Sequence, residues 1–219
     1  MRYADRIKLI LTTKERALFK RLSTPIKIQD YLDTLPINFE VTGETYLSPR
    51  LVLQRKTAHC MEGALLAAAA LAYHGAKPQL LDLQTAAEDD DHVVALFQQG
   101  GRWGAISKTN HAILRYRDPV YASVRELALS YFHEYFLEEN GKKTLRAYSA
   151  PFDLSRFAPE KWMTATEDLD WLAGELDWSR HFPIVSKKVL RALRPASKVE
   201  RRAISLTEWT RGGRSTGSR

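Results

Sequence analysis

The single cysteine of the chain, Cys60, lies where a helix is predicted to begin. Thr57 is a suitable N-cap, the helix is expected from Ala58 to about His74, and Gly75 is suited to the residue after its end. Free backbone N–H groups and the positive end of the helix dipole stabilise a thiolate in a first turn. Cys60 is therefore a candidate nucleophile. The alternative is an inert buried thiol, since free cysteine is among the most buried residue types.

His92 and Ser107 are predicted to lie on neighbouring strands that follow this helix. Three runs with strand character cover residues 79–83, 92–97 and 102–107, and Gln99-Gly100-Gly101 is typical of a hairpin turn between the last two. A cysteine, a histidine that takes its proton and a polar residue that orients the imidazole make up a known catalytic arrangement. In this chain the three candidates are separated by 32 and 15 residues.

The order of these segments resembles the transglutaminase-like core of the papain-like cysteine superfamily. The segments read AHCMEGA at 58–64, DHVVAL at 91–96 and GRWGAIS at 101–107, so the resemblance covers about residues 50–110. It implies Cys60 as nucleophile, His92 as base and acyl transfer at an amide through a thioester. The substrate would be a protein or peptide amide, the reaction peptidase, amidase, deamidase or transamidase, and no cofactor would be needed.

One position departs from that family pattern, because Ser107 stands where an Asp is usual. A hydroxyl can bond an imidazole N–H but cannot offset its charge. Asn110 is a substitute, as is one carboxylate of the run 89–91, and Gln54 is a candidate oxyanion-hole donor with the Cys60 N–H. The departure leaves a second interpretation open: a catalytically inactive transglutaminase-like module that binds or scaffolds a partner.

The remaining histidines carry weaker expectations. His59 precedes Cys60 by one residue, so in a helix its side chain points about 100° away round the axis, and it is expected at the rim of the site. A metal site built from His92, His111 and the acidic run 89–91 is a minor alternative, and we expect neither a metal nor an organic cofactor. A thiolate zinc site with four cysteines is excluded by the cysteine count.

The other periodic segments predict an α+β domain over residues 1–186. Flanking helices are expected within 5–35 (at 5–22, ended by Pro25, and at 28–35) and within 120–180, where 121–137 is amphipathic and an aromatic segment, 148–178, covers the sheet. Residues 63–73 are apolar on every helical face, so the cysteine-bearing helix is expected at the centre, packed on an antiparallel sheet.

The net charge of +7 comes from the C-terminal segment. Residues 187–219 contain ten Lys or Arg and two Glu, whereas residues 1–186 carry 23 basic and 24 acidic side chains. We expect 187–219 to be a basic tail, disordered at 212–219 and with short basic helices within 187–209, and either solubilising or a contact for a weak anionic partner such as nucleic acid or an acidic surface. No apolar run is long enough to span a membrane, and a cytoplasmic location is expected. The sequence does not indicate the oligomeric state.

Overall fold

The computed structural model describes residues 1–41 and 43–215 and folds them into an α+β domain. The main sheet contains β1 (Gln79–Gln84), β2 (His92–Gln99), β3 (Arg102–Ile106), β4 (Arg117–Tyr121), β5 (Ala147–Ser149), β6 (Phe152–Asp153) and β7 (His181–Pro183). Its order is β4-β3-β2-β1-β5-β7, with β6 paired to β1 off this path. Every pairing is antiparallel, so the predicted α+β class and antiparallel sheet are confirmed.

Ten α-helices surround this sheet in the described part of the chain. They are α1 (Tyr3–Ile10), α2 (Thr13–Arg21), α3 (Pro25–Thr34), α4 (Pro49–Arg55), α5 (Cys60–Tyr73), α6 (Val124–Ser130), α7 (Pro159–Met163), α8 (Asp170–Asp177), α9 (Lys187–Leu190) and α10 (Lys198–Ile204). No helix among the described residues is long and apolar enough to span a membrane.

Helix α5 lies at the centre of the larger hydrophobic core, as its apolar composition predicts. All its residues from Met61 to Ala72 are buried. Side chains of α1–α4, α7 and α8 cover it on one side and β1 and β2 on the other. A second core, on the opposite face of the sheet, forms around α6. Because α5 is held on all sides, its first residue is fixed relative to the sheet.

Three helix boundaries differ from the predicted ones. The expected helix over 5–22 is two helices, because Thr12 and Glu15 form reciprocal side-chain to backbone bonds that start α2. Pro25, expected to end that helix, is instead the first residue of α3, where its missing N–H costs nothing. The helix expected over 121–137 is shorter, since Tyr121 pairs with Trp103 in the sheet and α6 ends at Ser130.

The register of the β2–β3 hairpin places Ser107 beside His92. Ala95 is opposite Ile106, and the next pair in this register joins Val94 with Ser107. Directly opposed residues share a face and alternate residues of a strand do too, so His92, Val94 and Ser107 lie on the same face. Ser107 is therefore the diagonal neighbour of His92.

The chain following β3 passes directly over the first turn of α5. A Cβ atom added at Gly63 would lie 2.4 Å from Lys108 Cβ, so only glycine allows this approach. The Lys108 side chain is buried, and its Nζ donates hydrogen bonds to the carbonyl oxygens of Leu32, at 3.0 Å, and Leu35, at 2.5 Å. Lys108 thus satisfies free carbonyls at the end of α3 and ties three elements together.

The C-terminal segment over 187–215 has the short helices expected within 187–209, but it is otherwise more ordered than the expected tail. It contains α9, α10 and a hairpin of β8 (Trp209–Thr210) and β9 (Gly213–Arg214). Arg201 Nη1 donates to the backbone oxygens of Glu138 and Glu139, and the backbone of Trp209 forms two hydrogen bonds with the Asn110 side chain. These contacts with residues of the domain order a segment that lacks an apolar periodicity of its own. Residues 216–219 lie outside the described residues.

Candidate active site

Cys60 is the first residue of α5 and lines a cavity of about 920 Å³. His59, and not Thr57, is the N-cap, with extended φ and ψ of −93° and −170°. The Glu62 carboxylate accepts the His59 backbone N–H at 2.9 Å, which defines where the helix starts. The partly exposed thiol thus lies in the first helical turn, as the sequence predicts, next to free backbone N–H groups.

His92 lines the same cavity from the first position of β2, and its hydrogen bonds define its tautomer. The Ser107 hydroxyl lies 2.8 Å from His92 Nε2 and 2.5 Å from the carbonyl oxygen of Leu114. A carbonyl can only accept, so the one hydroxyl proton is directed to Leu114 and Ser107 Oγ accepts from His92 Nε2–H. The neutral imidazole therefore carries its lone pair on Nδ1.

Two features hold Ser107 in place. The Gln29 side chain on α3 accepts the Ser107 backbone N–H at 3.0 Å and donates to the Ser107 carbonyl at 2.8 Å. Leu114 adopts a left-handed conformation with φ of 59°, which is uncommon for a residue with a side chain. Strain of this kind is kept where the surroundings impose it. Here it accompanies the carbonyl that receives the Ser107 proton.

His59 also contacts the thiol, which corrects the expectation that it lies at the rim. Its Nδ1 is 3.9 Å from Cys60 Sγ, and its side chain is only 15% exposed. His59 Nε2 donates to the Thr45 carbonyl at 2.7 Å and lies 3.4 Å from Glu62 Oε1. The helix-wheel argument fails because His59 is the extended N-cap residue and does not follow helical geometry.

Glu62 is a fully buried carboxylate surrounded by donors. Besides the His59 backbone, it accepts from the Asn38 amide, the Thr45 hydroxyl and the Leu47 backbone N–H. Burial alone would raise the pKa of Glu62, but the contacts with His59 and these donors lower it below its ordinary value. The carboxylate is therefore ionised at neutral pH and faces the His59 imidazole.

The two imidazoles shift the thiol toward its ionised form. Burial alone would raise the pKa of Cys60, but its interactions with His59 and His92 and their positive charges lower it to about 5. Burial alone would lower the pKa of His59, but its contacts with Cys60 and Glu62 raise it to about 11. A thiolate beside an imidazolium is therefore the resting form at neutral pH.

Two other residues singled out in the sequence have different placements. Asn110 lines the cavity, but its amide is occupied by the backbone of Trp209, to which it donates at 3.0 Å and from which it accepts at 2.8 Å. Gln54 is exposed on α4 and is not among the described cavity-lining residues. The structure thus brings Cys60, His92 and Ser107 together and does not bring Gln54 to them.

The acidic run and His111 have other partners. Asp91 accepts from the backbone and hydroxyl of Thr85, and Asp89 accepts from the Thr144 hydroxyl. His111 Nδ1 donates to the Ile204 carbonyl. Within residues 1–41 and 43–215, no group of three or more His, Cys, Asp or Glu side chains is arranged to hold a metal ion.

Tyr135 is a cavity-lining residue that the sequence indicated only as part of a helix face. It follows α6, is 3% exposed, and its hydroxyl has no hydrogen-bond partner among the described residues. Burial, together with the negative charges of Cys60 and Asp82, raises the pKa of Tyr135 well above its ordinary value. The hydroxyl therefore stays protonated and is free to donate to a bound group.

The site thus consists of a thiolate in the first turn of α5 and two imidazoles, each of which belongs to its own hydrogen-bond network. His92 is oriented by a neutral hydroxyl and His59 by a buried carboxylate. A scan against protein-family models finds no match to this chain, and a search of curated proteins finds none either.

Proposed function

We propose that the protein is a transglutaminase-like cysteine enzyme that transfers an acyl group from a protein or peptide amide through a thioester on Cys60. The observation that carries the proposal is the orientation of His92. Its Nε2–H is committed to Ser107, whose own proton goes to Leu114, so the basic Nδ1 remains available in the cavity that Cys60 lines.

The reaction follows the usual course of thiol acyl transfer. The Cys60 thiolate attacks the carbonyl carbon, and the carbonyl oxygen takes the negative charge of the tetrahedral intermediate. Collapse breaks the C–N bond as His92, which carries on Nδ1 the proton lost by the Cys60 thiol, gives that proton to the leaving amine. Neutral His92 then takes a proton from water or from an acceptor amine, which attacks the thioester and releases Cys60 as thiolate. Water gives hydrolysis and an amine gives transamidation.

His59 and Glu62 support this chemistry at the thiolate, whereas Ser107 acts only on His92. A serine hydroxyl orients His92 but does not offset the charge of an imidazolium. The His59 imidazolium, held by a buried carboxylate at 3.4 Å, lies against the thiolate instead. The two roles are thus divided: His59 stabilises the resting thiolate, and His92 is left to move the proton.

The oxyanion of the intermediate has two candidate donors. The backbone N–H of Cys60 is the first of α5 and has no carbonyl partner within the helix. The Tyr135 hydroxyl is buried, protonated and without a partner among the described residues. Donors of this kind commonly contribute about 10²–10³ in rate when they face the developing charge.

Acetylation with p-nitrophenyl acetate, followed by intact-mass spectrometry, tests the proposal. Its leaving group needs no acid, so the thiolate should be acetylated in the wild type and in His92→Gln. Deacetylation by water needs the base, so the wild type should turn over whereas His92→Gln should accumulate the acetyl-enzyme. Cys60→Ser should not be acetylated, and the exposed His133→Gln is the matched control.

Two results would overturn the proposal. If the wild type is not acetylated at Cys60, the thiol is not a nucleophile, and the inactive binding module becomes the better interpretation. If His92→Gln deacetylates as fast as the wild type, His92 is not the base.

A further inference from the structure

The cavity that contains Cys60 is lined by more carboxylates than the proposed chemistry uses. Lys108 is the one Lys or Arg among the described lining residues, and its ammonium is turned away to the carbonyls at the end of α3. The acidic lining residues are Glu40, Glu44, Asp82, Asp89, Asp90, Asp91, Glu134 and Asp177.

Asp82 is the buried member of this set and has an unused oxygen. It lies on β1, is 2% exposed and lines the cavity. Its Oδ2 accepts from His181 Nε2 at 2.9 Å, whereas its Oδ1 has no hydrogen-bond partner within the described ranges. An unpaired oxygen of a buried carboxylate is costly and calls for a partner that arrives from outside the chain.

The negative charge around Asp82 exceeds the positive charge available to it. His181 offsets one charge, since its Nδ1 lies 2.8 Å from the Ser179 carbonyl and both ring nitrogens thus face acceptors. Asp91 and Asp177 remain toward the mouth of the cavity, where both are exposed. Burial raises the pKa of Asp82, and the charges of Asp91 and Asp177 raise it further, against the bond from His181.

This acidic end is close to the reacting groups. Leu83 is paired with His92 across β1 and β2, so the backbone of Asp82 is one residue from the position opposite the base, with its side chain on the other face of the sheet, and Asp91 precedes His92 in the chain. Asp82 is opposite Val93, which packs in the core around α5, so it faces the layer that carries Cys60. A group bound there would belong to a molecule whose other end reaches the thiol.

We infer that Asp82, with Asp91 and Asp177 at the entrance, binds an organic cation of the substrate, an alkylammonium or guanidinium group. This inference rests on the proposed function, because it names the class of substrate presented to Cys60. An extended cation fits because the carboxylates are spread from the floor to the mouth of the cavity and do not form a metal-ligand group in the described part of the chain. It would supply the donors that Asp82 Oδ1 lacks.

The charge preference of Cys60 toward methanethiosulfonates tests the site without needing turnover. The rate with the cationic 2-aminoethyl reagent is divided by the rate with the neutral n-propyl reagent, and the ratio is normalised to that of free N-acetylcysteine. The wild type should exceed the free thiol by about tenfold, as expected for one charge-assisted contact. The ratio should fall severalfold in Asp82→Asn and in Asp177→Asn, of which the second alters only an exposed side chain. Asp118→Asn, exposed on β4 outside the cavity lining, should leave it unchanged.

Protection of Cys60 from iodoacetamide distinguishes the two sources of such a cation. An amine acceptor must lose its proton and attack, which an alkylamine can do and a guanidinium cannot. Protection by 1,5-diaminopentane but not by N-acetylarginine methylamide assigns the site to the acceptor. Protection by both assigns it to a basic side chain of the acyl donor. N-acetylnorleucine methylamide is the neutral control.

A normalised ratio near one in the wild type, or one unchanged in both Asp82→Asn and Asp177→Asn, would overturn the cation site. That failure is separate from failure of the proposed function, because acetylation of Cys60 by a neutral ester does not depend on these carboxylates.

Discussion

Replacing His59 with glutamine should raise the pKa of the Cys60 thiol from about 5. Glutamine keeps a polar side chain that can donate to the Thr45 carbonyl, but it carries no charge. The thiolate then loses the imidazolium whose Nδ1 lies 3.9 Å from its sulfur. His92→Gln is the comparison within the site, and His133→Gln is the control for loss of an exposed histidine.

The size of the effect follows from Coulomb's law. Two unit charges separated by the 3.9 Å between His59 Nδ1 and Cys60 Sγ interact by about 4 kcal/mol at an effective dielectric constant of about 20. That energy corresponds to about 3 pKa units. Measured shifts from one opposite charge at such distances are about 1–3 units, so the pKa of Cys60 in His59→Gln should lie between about 6 and 8.

The assay is alkylation by iodoacetamide from pH 4 to 10, monitored by intact mass, which identifies the product unambiguously because the chain has one cysteine. In the wild type the rate should rise with pH through about 5, because the thiol is protonated below that pH. The inflection, and not the rate at one pH, is the quantity to compare. A thiolate of higher pKa is intrinsically more nucleophilic, and this partly offsets its smaller population.

An inflection that stays near 5 in His59→Gln would refute the division of roles. If, in addition, the inflection moved to the free-thiol range in His92→Gln, the thiolate would depend on His92 and not on the His59–Glu62 pair. A melting temperature close to that of the wild type is required of each variant before its inflection is interpreted.

Two further predictions concern the oxyanion and the close approach of Lys108 to α5. Tyr135→Phe should lower the rate of acetylation of Cys60 by about 10²- to 10³-fold, because it removes a donor to the oxyanion. The alkylation inflection should not move, because no charge near the thiol is removed. An unchanged acetylation rate would exclude Tyr135 from that role. Gly63→Ala should destabilise the fold by about 1–3 kcal/mol, measured by urea unfolding, because its Cβ would meet Lys108 Cβ at 2.4 Å. Gly174→Ala, whose Cβ would meet nothing within 4 Å, should cost no stability and is the matched control.

Local patterns along the chain were enough to predict the central part of the site. The all-apolar run 63–73 predicts a buried helix, and Cys60 lies at the start of that helix. The hairpin signal at Gln99-Gly100-Gly101 determines the β2–β3 register, and this register places Ser107 near His92. These features were predictable because each depends on residues close together in sequence, whose periodicity or turn chemistry is visible without the rest of the chain.

The tertiary structure decided which charged groups surround Cys60 and which residues hold the site in place. Gln29 reaches Ser107 across 78 residues of sequence, and the Asn110–Trp209 bonds that order the C-terminal segment span 99. No local periodicity encodes such contacts. His59 was misplaced because a helix wheel does not apply to an extended N-cap residue. Glu62 is only two residues after Cys60, yet its carboxylate stays charged in the interior only because Asn38, Thr45 and Leu47 donate hydrogen bonds to it. The sequence alone therefore determined which residue is the candidate nucleophile, and long-range packing decided which groups set its pKa.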